Sequence, residues 1–158
     1  MMGSIVLARI DDRLIHGQVM TAWLQYTGGN HIVIVDEPTA ADEFTKSIIS
    51  MAVPSGIDLT IAGVEEGTEV LKNLPANDRV IILTKGPETY LQLIENGVPL
   101  EKIIIGGMGA NKNRSKFYKN ISASEEEKEI FRKIIEHGCE LEVHIIPDEK
   151  AVSVKGIL

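Results

Sequence analysis

Two arginines, two aspartates and a histidine crowd the segment Arg9-Ile10-Asp11-Asp12-Arg13-Leu14-Ile15-His16-Gly17-Gln18-Val19. An imidazole titrates near neutrality, so His16 has a ring nitrogen that can attack phosphorus at physiological pH. Cationic neighbours favour that neutral, nucleophilic ring. Arg13 and Arg9 carry guanidinium forks that match phosphoryl oxygens bidentately. The N–H groups of Gly17 and Gln18 add donors where a helix begins, since a helix start has unpaired N–H groups and the positive end of its dipole. Gly17 also lets the backbone approach closely. His16 is therefore the candidate phosphoryl acceptor, with Arg13 and Arg9 as its stabilising charges. Asp11 and Asp12 orient the arginines, bind a divalent cation with a phosphate, sit solvated in the loop, or support the helix with negative charge. No further acid lies at ligand spacing, so no metal is expected.

An alternation of strands and helices must position that segment. Apolar, β-rich runs recur at Ile5–Ala8, Ile32–Val35, Ile57–Ala62, Val80–Leu83, Ile103–Ile105 and Leu141–Ile146. Helical patterns separate them. Val19, Met20, Trp23 and Leu24 form a face closed by Gly28-Gly29. Phe44, Ile48 and Met51 or Ala52 mark a second helix before Pro54. Val70, Leu71 and Leu74 mark a third before Pro75. Pro87 suits a first helical position, with Tyr90, Leu91 and Ile94 inward and Gly97 as terminator. Ser124 with Glu127 is a capping-box pattern ahead of Ile130, Phe131, Ile134 and Ile135.

This order predicts an α/β fold. It is a single doubly wound domain, residues 1–158, with a mostly parallel central sheet and helices on both faces. Val152 and Val154 suggest a closing edge strand. If the first strand is central, the loop after it opens at a switch-point crevice. Asp36-Glu37, Thr84-Lys85-Gly86 and Gly106-Gly107-Met108-Gly109 would then gather near His16. Thr84 and Lys85 are candidate phosphate contacts on that ground. The glycine run lacks the full dinucleotide fingerprint and reads as a tight turn.

Bulk properties exclude several classes. A formal charge of −7 argues against a general nucleic-acid or anionic-membrane binder. The single Cys139 precludes an intramolecular disulfide and fits a reducing compartment. No apolar run approaches the roughly 20 residues of a membrane span, so any membrane link goes through a partner. Lys112, Arg114, Lys116 and Lys119 form a basic loop, read as a solvated run, with partner docking as the lesser reading. His31, His137, His144 and Cys139 read as structural. Trp23 reads as core. No exposed apolar stripe stands out, so a homo-oligomer is neither required nor excluded.

The run from Arg9 to Val19 closely resembles the signature of IIB components of the mannose–fructose–sorbose family of bacterial sugar phosphotransferase systems. Trp23, Ile32-Val33-Ile34-Val35-Asp36, Leu83-Thr84-Lys85, Ile105-Gly106-Gly107-Met108, Ile121-Ser122 and Ile145-Ile146-Pro147 extend the similarity over essentially the whole chain. The resemblance implies a cytoplasmic phosphotransferase, peripherally associated with a membrane permease complex and needing no cofactor. A IIA phosphohistidine would pass its phosphoryl to Nδ1 of His16. The group would then go to a sugar carried by the membrane components IIC and IID. Arg13 would be the main charge stabiliser and Arg9 secondary. Two rivals remain at this stage. One is a stand-alone phosphatase or mutase using the same histidine. The other is a non-catalytic nucleotide- or sugar-phosphate-binding module using the glycine turn.

Overall fold

The computed structural model describes residues 3–15 and 17–158. Its core is a seven-stranded sheet. In chain order the strands are β1 (Ser4–Asp11), β2 (His31–Val35), β3 (Asp58–Ala62), β4 (Arg79–Thr84), β5 (Lys102–Gly107), β8 (Glu140–Val143) and β9 (Val152–Ser153). A separate hairpin contains β6 (Ser115–Tyr118) and β7 (Ile121–Ala123). In space the large sheet runs β3-β2-β4-β1-β5-β8-β9. All its pairings are parallel except β8 with β9. The strands have near-continuous apolar sequences because helices cover both faces.

The helices are α1 (Gly17–Thr27), α2 (Glu37–Ala40), α3 (Glu43–Ala52), α4 (Val64–Lys72), α5 (Pro87–Glu95) and α6 (Glu125–Glu136). Helices α1 and α3 face one hydrophobic core, which includes Met20, Trp23, Ile34, Ile81 and Leu83. Helices α4, α5 and α6 cover the other, built around Val33, Ile82, Tyr90, Leu93, Phe131 and Ile134. This division follows from chain direction. Connections moving toward β3 cross one face, and those moving back toward β8 cross the other, as right-handed crossovers require.

The change of direction falls where the sequence order placed it. β1 is central, between β4 and β5. Its outgoing connection leads toward β2, whereas that of β5 leads toward β8. The loops after β1 and β5 therefore part at the carboxyl edge, the usual ligand crevice of such sheets.

Three features differ from the sequence expectation. The apolar positions Phe44, Ile48 and Met51 do form a helix, but they are exposed (73%, 51% and 86%) rather than inward. Ile49 and Val53 pack against the core instead, so the molecule does carry an exposed apolar stripe on α3. The short helix α2, capped by Asp36 through Thr39 N, was not anticipated. The basic loop is part of a β-hairpin, with the Phe117 ring packed against Phe131 at a tilt of 43°. At the other end, the Ser124–Glu127 capping box forms as its spacing predicts, and β9 is the expected edge strand, with Val154 in a 3-10 turn beyond it.

Candidate active site

β1 delivers Arg9 and Asp11 to the crevice, and both are buried. Nη1 of Arg9 donates to Oδ2 of Asp11 at 2.6 Å. On the opposite side, Nε of Arg13 donates to Asp11 Oδ1 at 2.9 Å and its Nη2 to Oδ2 at 3.0 Å. The Arg13 backbone N–H adds a bond to Oδ1 at 3.0 Å. Thus one buried carboxylate holds two guanidiniums, one inside the protein and one about half-exposed.

The electrostatics follow from this arrangement. Burial opposes the charge on Asp11, but the hydrogen bonds from Arg13 and the charge of Arg9 outweigh it and pull the carboxyl below its ordinary range. Burial lowers the Arg9 pKa despite Asp11. The Arg13 pKa is raised, chiefly by its bond to Asp11. Arg13 therefore presents a secured positive charge at the surface.

Neighbouring elements make room for the stack. Gly106 lies against the Arg9 guanidinium: a β-carbon there would stand 2.1 Å from Nη2. One on Gly107 would stand 2.7 Å from Asp11 Oδ1 and 3.0 Å from Arg13 Nη2. The adjacent glycines at the end of β5 thus leave the volume that the Arg–Asp–Arg group fills. The carbonyl of Ile145 accepts from Arg9 Nη2 at 3.1 Å and from the Trp23 indole at 3.0 Å. This shared acceptor ties α1 to the stack. From below, the Tyr90 hydroxyl lies 2.9 Å from the carbonyl oxygens of Arg9 and Ile82.

The turn after β1 is held tightly. Leu14 N–H donates to the Asp11 carbonyl at 2.8 Å. Leu14 has φ +60°, a left-handed conformation costing a non-glycine residue about 1–2 kcal/mol. Its side chain is buried, which helps retain that conformation. Asp12 N–H donates to Gly107 O at 3.0 Å, and Asp12 Oδ2 accepts from Gly109 N at 2.7 Å. The loops on either side of the crevice are therefore joined directly.

The expected residues occupy different places. Arg9, expected as a phosphate-binding charge, is fully buried and paired with Asp11 and Ile145, so in this arrangement it supports the turn from inside. Asp11 is buried and bonds both arginines rather than sitting solvated in the loop. Gly17 and Gln18 open α1 and are exposed, with empty space where a Gly17 β-carbon would stand. Thr84 is buried, with its hydroxyl donating to Gly86 O at 2.8 Å. Lys85 is half-exposed and pairs with Asp36 at 3.3 Å. His16 lies outside the described residues. Among those described, no group of three or more histidine, cysteine or acidic side chains is arranged to hold a metal.

The family is decided by a match along nearly the whole chain. Residues 5–158 match the family model of the PTS system sorbose subfamily IIB component. The chain belongs to this IIB family. It is 31% identical over 151 residues to the sorbose-specific EIIB component of Lacticaseibacillus casei, covering 95% of this chain and 92% of the relative. It is 31% identical over 159 residues to the fructose-specific EIIB component of Bacillus subtilis, covering 99% and 97%. The IIB domain of the Klebsiella pneumoniae sorbose permease superposes with a TM-score of 0.90 at 29% identity, covering 96% of this chain and 93% of that one. This IIB protein is accordingly a phosphoryl carrier and phosphotransferase of a sugar phosphotransferase system.

The IIB signature marks both arginines by residue type and leaves the role of Asp11 open. The glycine pair's role, the Ile145 carbonyl and the Tyr90 hydroxyl are not legible in it. Only the adjacency of two glycines to an arginine-bearing strand could have signalled the first. Backbone carbonyls leave no residue-type signature.

Proposed function

We propose that residues 1–158 form one IIB domain in which His16 carries the phosphoryl group. The observation that carries this reading is the Arg9–Asp11–Arg13 stack, which secures a half-exposed guanidinium on the turn leading to His16. A phosphorylated IIA protein would dock over the turn. A His16 ring nitrogen attacks its phosphorus in line, and the IIA histidine leaves. Arg13 and the N–H groups of Gly17 and Gln18 offset the charge on the transferring oxygens. Arg9 and Asp11 act behind them, holding Arg13 in place. In the second step a sugar hydroxyl, presented by the membrane components IIC and IID, attacks phosphohistidine and takes the group. The same contacts must bind phosphohistidine without over-stabilising it, or release would slow.

This reading places the protein at the cytoplasmic face of a permease. Among the described residues no helix is long and apolar enough to cross a membrane, which fits attachment through partners. The test is a reconstituted relay with phosphoenolpyruvate, the general phosphotransferase proteins, a mannose-family IIA, this chain, and membranes containing IIC and IID. Sugar phosphorylation that requires the chain supports the reading. Steady release of free phosphate by the chain without partners would instead favour a phosphatase.

A further inference from the structure

Arg114 lies outside the signature, on the loop before β6, yet it reaches the turn. Its Nε and Nη2 donate to the two carboxylate oxygens of Glu127 at 2.9 and 2.8 Å. Its Nη1 donates to Asp12 Oδ2 at 3.3 Å and to Gly109 O at 3.1 Å. The Arg114–Glu127 pair is largely buried, each side chain 12% exposed, whereas Asp12 on the other edge is 33% exposed. Glu127 is itself fixed, because it also receives Ser124 N–H in the capping box of α6.

These contacts form a chain of rigid connections. The first turn of α6 holds Glu127, Glu127 holds Arg114, and Arg114 holds Asp12. Asp12 immediately precedes Arg13 in a turn that also contains the left-handed Leu14. Such a conformation persists only where its surroundings over-determine it. Asp11 fixes the start of the turn from inside, and Arg114 with Gly109 N fixes Asp12 from the other side of the crevice.

We infer that Arg114 is a positioning residue for phosphoryl transfer: through Asp12 it sets where the turn presents Arg13 to the incoming phosphoryl group. This rests on the proposed role of the turn. Arg114 itself would not touch the phosphoryl group. Its planar fork suits a two-sided job, because two edges of one guanidinium can bind different carboxylates at once. Lysine supplies a single point charge and can serve only one of them well.

The test measures the rate at which the chain accepts phosphoryl from a phosphorylated mannose-family IIA, over a range of donor concentrations. The variants are Arg114→Gln, Asp12→Asn, the double variant and Arg114→Lys. Asp12→Asn weakens the connection at the turn without disturbing the α6 cap, so it keeps the test decisive even if Arg114→Gln fails to fold. Small misplacements near transferring groups cost up to about a hundredfold in rate. We expect each single variant to lower the maximal rate by about tenfold, with the donor concentration at half-saturation unchanged. The double variant should be no slower than the slower single one, since both break the same connection. Arg114→Lys should recover only part of the rate. Multiplying effects in the double variant, or a raised half-saturation concentration with an unchanged maximal rate, would overturn the inference. So would a full rate with only a lowered melting temperature. Loss of labelling specificity in His16→Ala would instead count against the assignment of the turn, independently of Arg114.

Discussion

Gly106 and Arg9 share one space on neighbouring strands. A β-carbon on Gly106 would stand 2.1 Å from Nη2 of Arg9 and 2.4 Å from Nε. The guanidinium has nowhere to retreat, since it is fully buried and bonded to Asp11 and to the Ile145 carbonyl. Gly106→Ala should therefore push Arg9 off Asp11. Overpacking of this kind costs about 1–3 kcal/mol, and phosphoryl acceptance should fall with it. Thermal unfolding and labelling rates on the same sample check both parts. A variant as stable and fast as the wild type would show that the stack is not needed.

Removing Arg9 leaves Asp11 with one partner. Breaking a buried ion pair from one side costs about 3–5 kcal/mol, and the remaining bonds from Arg13 place Arg9→Met near the lower figure. For a protein of this size that is a melting temperature lower by roughly 6–12 °C. Asp11→Asn with Arg9→Met should be less damaging than the sum of the two, because neither change then strands a charge. Additive losses would mean that the pair is not coupled.

Arg13 is the opposite case. Its side chain is about half-exposed, so Arg13→Lys should change stability by less than about 1 kcal/mol. The positive charge survives, but the planar fork that meets Asp11 on one edge is lost. Phosphoryl acceptance should slow by about tenfold, equivalent to roughly 1.4 kcal/mol of barrier, without being abolished. Single-turnover transfer in both directions, from IIA and to sugar, is the measurement. If both steps keep wild-type rates, Arg13 does not stabilise the transferring group.

Acid should weaken the fold through two carboxylates. Asp11 and Glu127 are both held below their ordinary pKa, with burial opposing the charge and bonds to Arg13, Arg9 and Arg114 outweighing it. A carboxyl depressed in the folded state contributes stability above its unfolded pKa and loses it as pH falls through the folded value. These contributions should be constant above about pH 5 and decline below about pH 4. Urea midpoints between pH 7 and pH 3 test this, with Asp11→Asn reducing the slope. A midpoint that does not move over that range would contradict the assignment.

Much of this architecture was legible in the chain. The six apolar runs each produced a strand, the last ending at Val143 rather than Ile146, because buried parallel strands leave little room for polar residues. The Ser124–Glu127 spacing found its helix because a capping box is a local interaction. The signature located the turn. What remained hidden depended on partners distant in sequence. Helical periodicity in Phe44, Ile48 and Met51 shows that a helix forms, not which side the sheet covers. The strand Ser115–Tyr118 mixes serine, lysine and aromatic residues, so its charges read as a loop. Arg114 looked like one member of a basic run, and only the fold brings Asp12 and Glu127 to its two edges.

We propose His16 as the residue that carries the phosphoryl group. Intact mass spectrometry tests it most directly. The wild type and His16→Ala are incubated in parallel with phosphoenolpyruvate, the general phosphotransferase proteins and a mannose-family IIA. One acid-labile phosphoryl group on the wild type and none on His16→Ala is the expected result. An adduct that persists on His16→Ala would place the carrier on another residue and contradict the account.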